Sequence, residues 1–297
     1  MELITKVNIQ ESPRKLGLEN KILIIGSCFA NEIGNILKSC GFNISVNPFG
    51  TLYNPISIAS SLQRLATAEP FKQKDVINIS LHSTKDTGSE NGPCCKFCTF
   101  SHHSSFAKNS SEEFLTSANT RLELESEHFE NCDTIIITLG TSWVFRHTEL
   151  DDVVSNCHKI HPKEFLREFV PYNRTYEILN KLIEEHPNKH FIFTVSPIRH
   201  LKDGAHGNQI SKASLLLAVE QLVSTHPGKC SYFPAYEIML DELRDYRYYA
   251  EDMVHPSGLA VKYIFERFKE SCINPADYNT MQQNLKACKQ KQHRQIM

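Results

Sequence analysis

Unbroken apolar runs along the chain alternate with segments whose apolar residues recur at helical spacing. KILIIG (21–26), DTIIITLG (133–140) and HFIFTVSP (190–197) have the length and character of buried strands, and FNISV (42–46) reads as a further strand. After the first of them, ANEIGNILKSCG (30–41) places Ile33, Ile36 and Leu37 on one helical face and meets a stop at Gly41. Ser110 and Glu113 fit a capping box that opens a long helix ending near Cys132. Further helices are expected from a start near Ile56, over 162–169 and 172–185, and over KASLLLAVEQLVSTH (212–226). CSYFPAYEIMLDELRD (230–245) reads as a short strand and a helix, and a last helix follows Pro256, since proline is favoured at the first helical position. Alternation of this kind builds a parallel sheet. The expected fold is α/β, a three-layer α/β/α sandwich around a mostly parallel sheet.

Two stretches interrupt the alternation. Residues 68–109 are polar and irregular, with short strands expected at VINIS (76–80) and within CKFCTFS (95–101). SWVFRH (142–147) and DDVVSN (151–156) fit a β-hairpin or arm. Both are read as insertions, near 68–109 and 143–160, in one domain spanning 1–297, because no linker or low-complexity tract divides the chain.

Composition narrows the classes of partner. A formal net charge of -2 gives no electrostatic case for nucleic acid or an anionic membrane, and the basic KACKQKQHRQ (286–295) is read as a short solvated tail. No apolar run approaches the ~18 residues of a membrane span. MELITKVNIQ lacks the charged and apolar regions of an export signal, so a cytoplasmic protein with free thiols is expected. CCKFC (94–98) has no matching second cysteine pair, so no metal is expected there, and no organic cofactor is expected either.

Ligands of open parallel sheets bind at the carboxyl ends of the strands. Ser27 follows the first strand, Asn47 and Gly50 the second, Thr141 and Ser142 the third, and Arg199 and His200 the fourth. Asp252 and His255 lie just before the last long helix, at a spacing that lets the carboxylate hold one imidazole nitrogen while the other faces the serine. Ser27 taken alone reads first as a helix cap. Beside it, Cys28 is intrinsically more nucleophilic, but the residue after a strand–helix corner is read as pointing elsewhere. Trp143, the only tryptophan, suits sugar stacking or core packing, and Asn156-Cys157-His158-Lys159 is a further candidate for the cleft wall. The first turn, GSCFANEIG, lacks the G-x-G-x-x-G spacing of a dinucleotide site.

GSCFA (26–30), NPFGTLYNP (47–55), TLGTSWVF (138–145), NCHK (156–159), TVSPIRHLKDGAHGNQISKA (194–213) and YFPAYEIMLDELRDYRYYAEDMVHPS (232–257) together resemble the GSCFA family, grouped with the SGNH (GDSL-like) hydrolases, over nearly the whole chain. The resemblance implies a flavodoxin-like fold and a serine hydrolase cleaving a carboxylic ester, such as an acylated carbohydrate. Ser27 would attack, His255 act as general base and Asp252 orient it, with Ser27, Gly50 and Ser142 around the oxyanion. Asn47, His102, His103, Trp143, Arg199 and His200 are the candidate substrate-binding residues. The chain departs from the SGNH pattern in its third block, where Gly140-Thr141-Ser142-Trp143 lacks the asparagine, and in its first, Gly-Ser-Cys for Gly-Asp-Ser. An acyltransferase using the same site and a catalytically silent glycan- or ligand-binding protein remain alternatives.

Overall fold

In the computed structural model, residues 4–80 and 95–296 are described. Five strands form one parallel sheet: β1 (Lys21–Gly26), β2 (Asn43–Val46), β5 (Thr134–Leu139), β9 (His190–Val195) and β10 (Cys230–Tyr232). Their spatial order is β10-β9-β5-β1-β2. Counted along the chain this is 2-1-3-4-5, the flavodoxin-like order, and its direction reverses between β1 and β5. Strands covered on both faces read as continuous apolar runs. Accordingly Leu23 and Ile25 of β1 join one buried cluster with Ile135, Ile137, Phe191 and Phe193, while Ile22 and Ile24 join a second with Ile136 and Ile192.

Helices close both faces. The first cluster includes side chains of α2 (Pro55–Thr67), α3 (Ser111–Asn131), α4 (Tyr172–Glu185) and α5 (Gly204–Thr225). The second includes α1 (Cys28–Ser39), the short α6 (Ala235–Glu237) with its π-helical continuation Ile238–Glu242, α7 (Gly258–Cys272) and α8 (Tyr278–Ile296). The irregular region holds an antiparallel pair, β3 (Val76–Ser80) and β4 (Cys95–Thr99). Cys94, the first residue of the CCKFC group, lies outside the described residues. The expected arm is β6 (Trp143–His147) paired with β7 (Asp152–Val154) and with a third strand, β8 (Phe165–Phe169).

Several expectations are corrected. Residues 162–169 form a 3₁₀ turn, Pro162–Glu164, and then β8 rather than a helix, because this segment completes the hydrogen bonding of β6. Helix α5 starts at Gly204, eight residues before Lys212, and absorbs most of the expected loop. Pro256 precedes the cap of α7, whose N-cap is Ser257. The basic C-terminal stretch, expected as a tail, is helical, part of α8, and its side chains from 286 to 291 are exposed or half-buried. Only half of the capping box forms: Ser110 accepts from the Glu113 N–H, while the Glu113 carboxylate turns to Lys108.

Gly26 is where the sheet needs a glycine. Its φ is +142°, and a Cβ there would meet the Thr138 carbonyl oxygen of β5 at 2.1 Å. Both the conformation and the contact are with backbone, which has little room to yield. Gly26→Ala is expected to cost about 2–4 kcal/mol from strain plus overpacking, read as a lower urea midpoint at unchanged slope.

Candidate active-site cleft

The corner between β1 and α1 lies at the sheet's switch point. Ser27 is its last extended residue and the N-cap of α1, while Cys28 is the first helical residue. The serine is 0% exposed. Its hydroxyl donates to Ser196 Oγ at 3.0 Å, just past β9, and its N–H donates to Thr138 O at 3.2 Å. The Ser27 hydroxyl, expected to attack an acyl carbon, thus bonds below the corner, and its N–H bonds β5. Cys28 turns the other way. Its thiol lines a cleft of about 460 Å³ and lies 3.4 Å from the Tyr53 hydroxyl.

His255 lines the same cleft. Its Nδ1 lies 2.6 Å from Asp252 Oδ2, and Asp252 Oδ1 accepts from the N–H groups of both Val254 and His255 at 2.9 Å. These backbone bonds, followed by the imidazole bond, hold the Asp252 carboxyl down at about 2. An anionic Asp252 selects the tautomer with its proton on Nδ1 and leaves Nε2 as the acceptor. The loop is braced from outside: Arg199 donates from its N–H to Val254 O and from Nη1 to Met253 O, each at 3.1 Å.

Under the cleft runs a polar layer that joins the strand ends. Lys212, 1% exposed, lies a little over two turns into α5 and donates to Gly140 O and Ser196 O, both at 2.7 Å. Burial lowers its ammonium to about 7. The amine thus replaces sheet hydrogen bonds where β5 and β9 diverge, and Ser196 Oγ takes the hydroxyl of Ser27.

Three of the expected substrate-binding residues lie along the cleft: Trp143, Arg199 and His200. His200 sits with its ring edge-on to Tyr53 and its Nε2 buried without a partner among the described residues. Burial, then the charges of Lys212, His255 and Arg167, pushes it down to about 3. Other expected residues are committed elsewhere. Asn47, at φ +45°, accepts from Gly26 N–H at 2.8 Å and donates to Asn31 Oδ1 at 2.6 Å, so its amide pins the corner. The Gly50 N–H closes a turn onto Asn47 O at 2.8 Å, so it is spent as an oxyanion donor. Ser142 gives its hydroxyl to Ser211 O at 3.1 Å. His102 is packed among Phe49, Phe71, Phe106 and Phe114, with Nδ1 2.7 Å from Thr99 Oγ1. His103 caps the short 3₁₀ turn Ser104–Phe106 by accepting from the Ser105 N–H.

From the NCHK motif, Asn156 and Cys157 reach the cleft, whereas His158 is buried and bonds Thr99 O at 2.8 Å. Sequence reasoning missed Tyr53, Asn54, Arg167 and Lys202, which also line it. Tyr53 and Asn54 stand in a quoted motif, and that was their available signal. Arg167 was hidden by the helical reading of β8. A larger hollow, about 1200 Å³, lies at the other end of the strands, beside Asp133 and Lys189, away from these side chains.

A 2-1-3-4-5 parallel sheet with a thiol, an imidazole and a carboxylate gathered near its switch point defines a doubly wound α/β protein of the flavodoxin-like kind. Within that class the chain belongs to the GSCFA family, whose pattern it matches over residues 21–268. Among solved structures it is similar to a Streptococcus pneumonia protein named for platelet activating factor, at TM-score 0.41 and 13% identity, covering 85% of this chain and 83% of that one. It is also similar to a Corynascus thermopiles (Myceliophthora fergusii) carbohydrate esterase family 2 enzyme with its carbohydrate binding domain, at TM-score 0.36 and 13% identity, covering 86% and 67%. Among curated proteins, no sequence matches the chain.

Proposed function

We propose that the protein hydrolyses carboxylic esters through a Cys28 thiol nucleophile, with His255 as general base and Asp252 as its orienting carboxylate. The observation that carries this reading is the shared cleft: Cys28 and His255 both line it, His255 is held by Asp252, and the neighbouring serine is sealed away. In the first half-reaction the sulfur attacks the acyl carbon and its proton passes to His255 Nε2. The tetrahedral oxyanion is met by the Cys28 N–H, which the start of α1 leaves without an intrahelical acceptor. Tyr53, whose hydroxyl donates to Thr51 Oγ1 at 3.3 Å, would turn that hydrogen to the oxyanion as a second donor; burial first, then its thiol neighbour, raises the phenol to about 12, so it stays protonated. Collapse expels the alcohol, which takes the proton back from His255. Water, deprotonated by the same imidazole, then releases the carboxylic acid from the Cys28 thioester.

The α1 macrodipole favours the negative charge that develops at the corner. The asparagine absent from the third block would have a physical counterpart in Asn54, which lines the cleft from the cap of α2; one amide hydrogen is given to Ser57 Oγ at 3.0 Å, and the other makes no hydrogen bond among the described residues.

The reading is tested by trapping. After brief exposure to an activated acetyl ester and a mild acid quench, peptide mass mapping is expected to place the acetyl group on Cys28. His255→Ala is expected to slow its appearance by roughly a hundredfold or more. Acetyl on Ser27, or no acylation of folded protein, would sink the proposal.

A further inference from the structure

The cleft is basic although the chain as a whole carries a net charge of -2. Arg167, Arg199 and Lys202 all line it, and among the described residues no aspartate or glutamate does. Arg167 is answered from outside the cleft by Asp203, through contacts of 3.1 and 2.5 Å. Arg199 and Lys202 make no ion pair among the described residues; the first lies over the Tyr249 ring and the second over Phe145, its Nζ 4.2 Å from the centroid. Phe145 also receives the Arg167 guanidinium at 4.3 Å, and Arg167 reaches Trp143 at 5.6 Å. Aromatic faces attract cations but do not neutralise them. Gathering like charges beside apolar walls leaves a repulsive field that an anionic ligand relieves.

We infer that the substrate carries an anionic group, a carboxylate or a phosphate, with Lys202 as the specificity-determining cation and the Phe145–Trp143 floor holding the body of the molecule. The inference rests on the ester-hydrolase reading for its chemistry, but the anion site itself does not depend on turnover. Lys202 is exposed and is not one of the Cys28–His255–Asp252 set, so replacing it is expected to leave the fold intact. A neutral ester of the same shape is expected to enter the cleft without the charge contribution and to be the poorer substrate.

Trp143 is the only tryptophan of the chain, so its fluorescence reports occupancy of the cleft without any reaction. Benzoate and phenyl phosphate, titrated against neutral benzamide, are expected to give saturable quenching with affinities roughly tenfold above that of benzamide. Lys202→Met is expected to remove that advantage and leave benzamide binding unchanged. Raising the salt to about 0.5 M is expected to weaken the two anions alone. A preference for phenyl phosphate over benzoate assigns a phosphorylated substrate, and the reverse assigns a carboxylate. Benzamide binding as tightly as both anions, anion affinities untouched by Lys202→Met, or no saturable quenching by either anion overturns the inference. Charge-dependent binding without acyl transfer to Cys28 removes the hydrolase reading and leaves the anion site standing.

Discussion

Cys28→Ala is expected to lower ester turnover by roughly a thousandfold or more, while Ser27→Ala keeps it within about tenfold. The two residues are neighbours in sequence and opposites in environment. Removing the thiol deletes the atom that would form the bond to the acyl carbon, and no other side chain of the corner faces the cleft in its place. Removing the Ser27 hydroxyl breaks one buried hydrogen bond, to Ser196 Oγ at 3.0 Å, at a cost of about 1 kcal/mol in stability. Turnover measured beside urea unfolding of the same variants separates the effects: loss of rate at unchanged stability belongs to Cys28, and loss of stability with retained rate belongs to Ser27. A dead Ser27→Ala with native stability, beside an active Cys28→Ala, would reverse the assignment.

The second large effect is on acid stability. His102, with no exposed surface, is pushed down to about 3 chiefly by burial; His190 is lowered to about 4 and His200 to about 3, with burial again the leading cause. In the unfolded chain each imidazole titrates near 6.5. As the pH falls below that value the unfolded state gains protons that the folded state refuses, so stability declines from about pH 6.5 toward the folded values. One such histidine contributes a slope of up to about 1.4 kcal/mol per pH unit, or on the order of 2 kcal/mol between pH 6.5 and 5. His102→Phe keeps the aromatic packing and removes the titration. Urea unfolding at several pH values is expected to show the slope reduced by about one proton equivalent in the variant. An unchanged slope would place the acid sensitivity elsewhere. The substitution also leaves the Thr99 hydroxyl without its 2.7 Å partner, so the variant is expected to be less stable near neutrality and its gain at pH 5 to be reduced by the same amount.

Much of the scaffold was legible because parallel strands buried on both faces must be continuously apolar. KILIIG, DTIIITLG and HFIFTVSP announce themselves as β1, β5 and β9, and periodicity announces α1 and α4. FLREF in β8 was misread because its pairing with β6 lies in a different part of the chain and a five-residue strand leaves little periodicity to read. The first residues of α5 include two glycines and several polar side chains, composition that reads as loop until packing on the sheet rewards the helix. At the site, the Asp252–His255 pair was legible as a local spacing, and its 2.6 Å contact needs only one tight loop. The candidate donors Gly50 and Ser142 were not, because whether an N–H or hydroxyl is open depends on partners elsewhere in the fold, here Asn47 and Ser211.

From its residue order alone the chain commits to a parallel α/β sheet, to a strand–helix corner at Gly26-Ser27-Cys28, and to an imidazole–carboxylate loop ahead of α7, because each depends on patterns a few residues long. Folding settles which of the two adjacent side chains meets the cleft and which cations surround it. The physical reason is local in geometry but remote in cause: extended backbone ends and helix begins between positions 27 and 28, so consecutive side chains diverge, one toward Ser196 from the end of β9 and the other into a cleft walled by β6, β8 and the loop after β9.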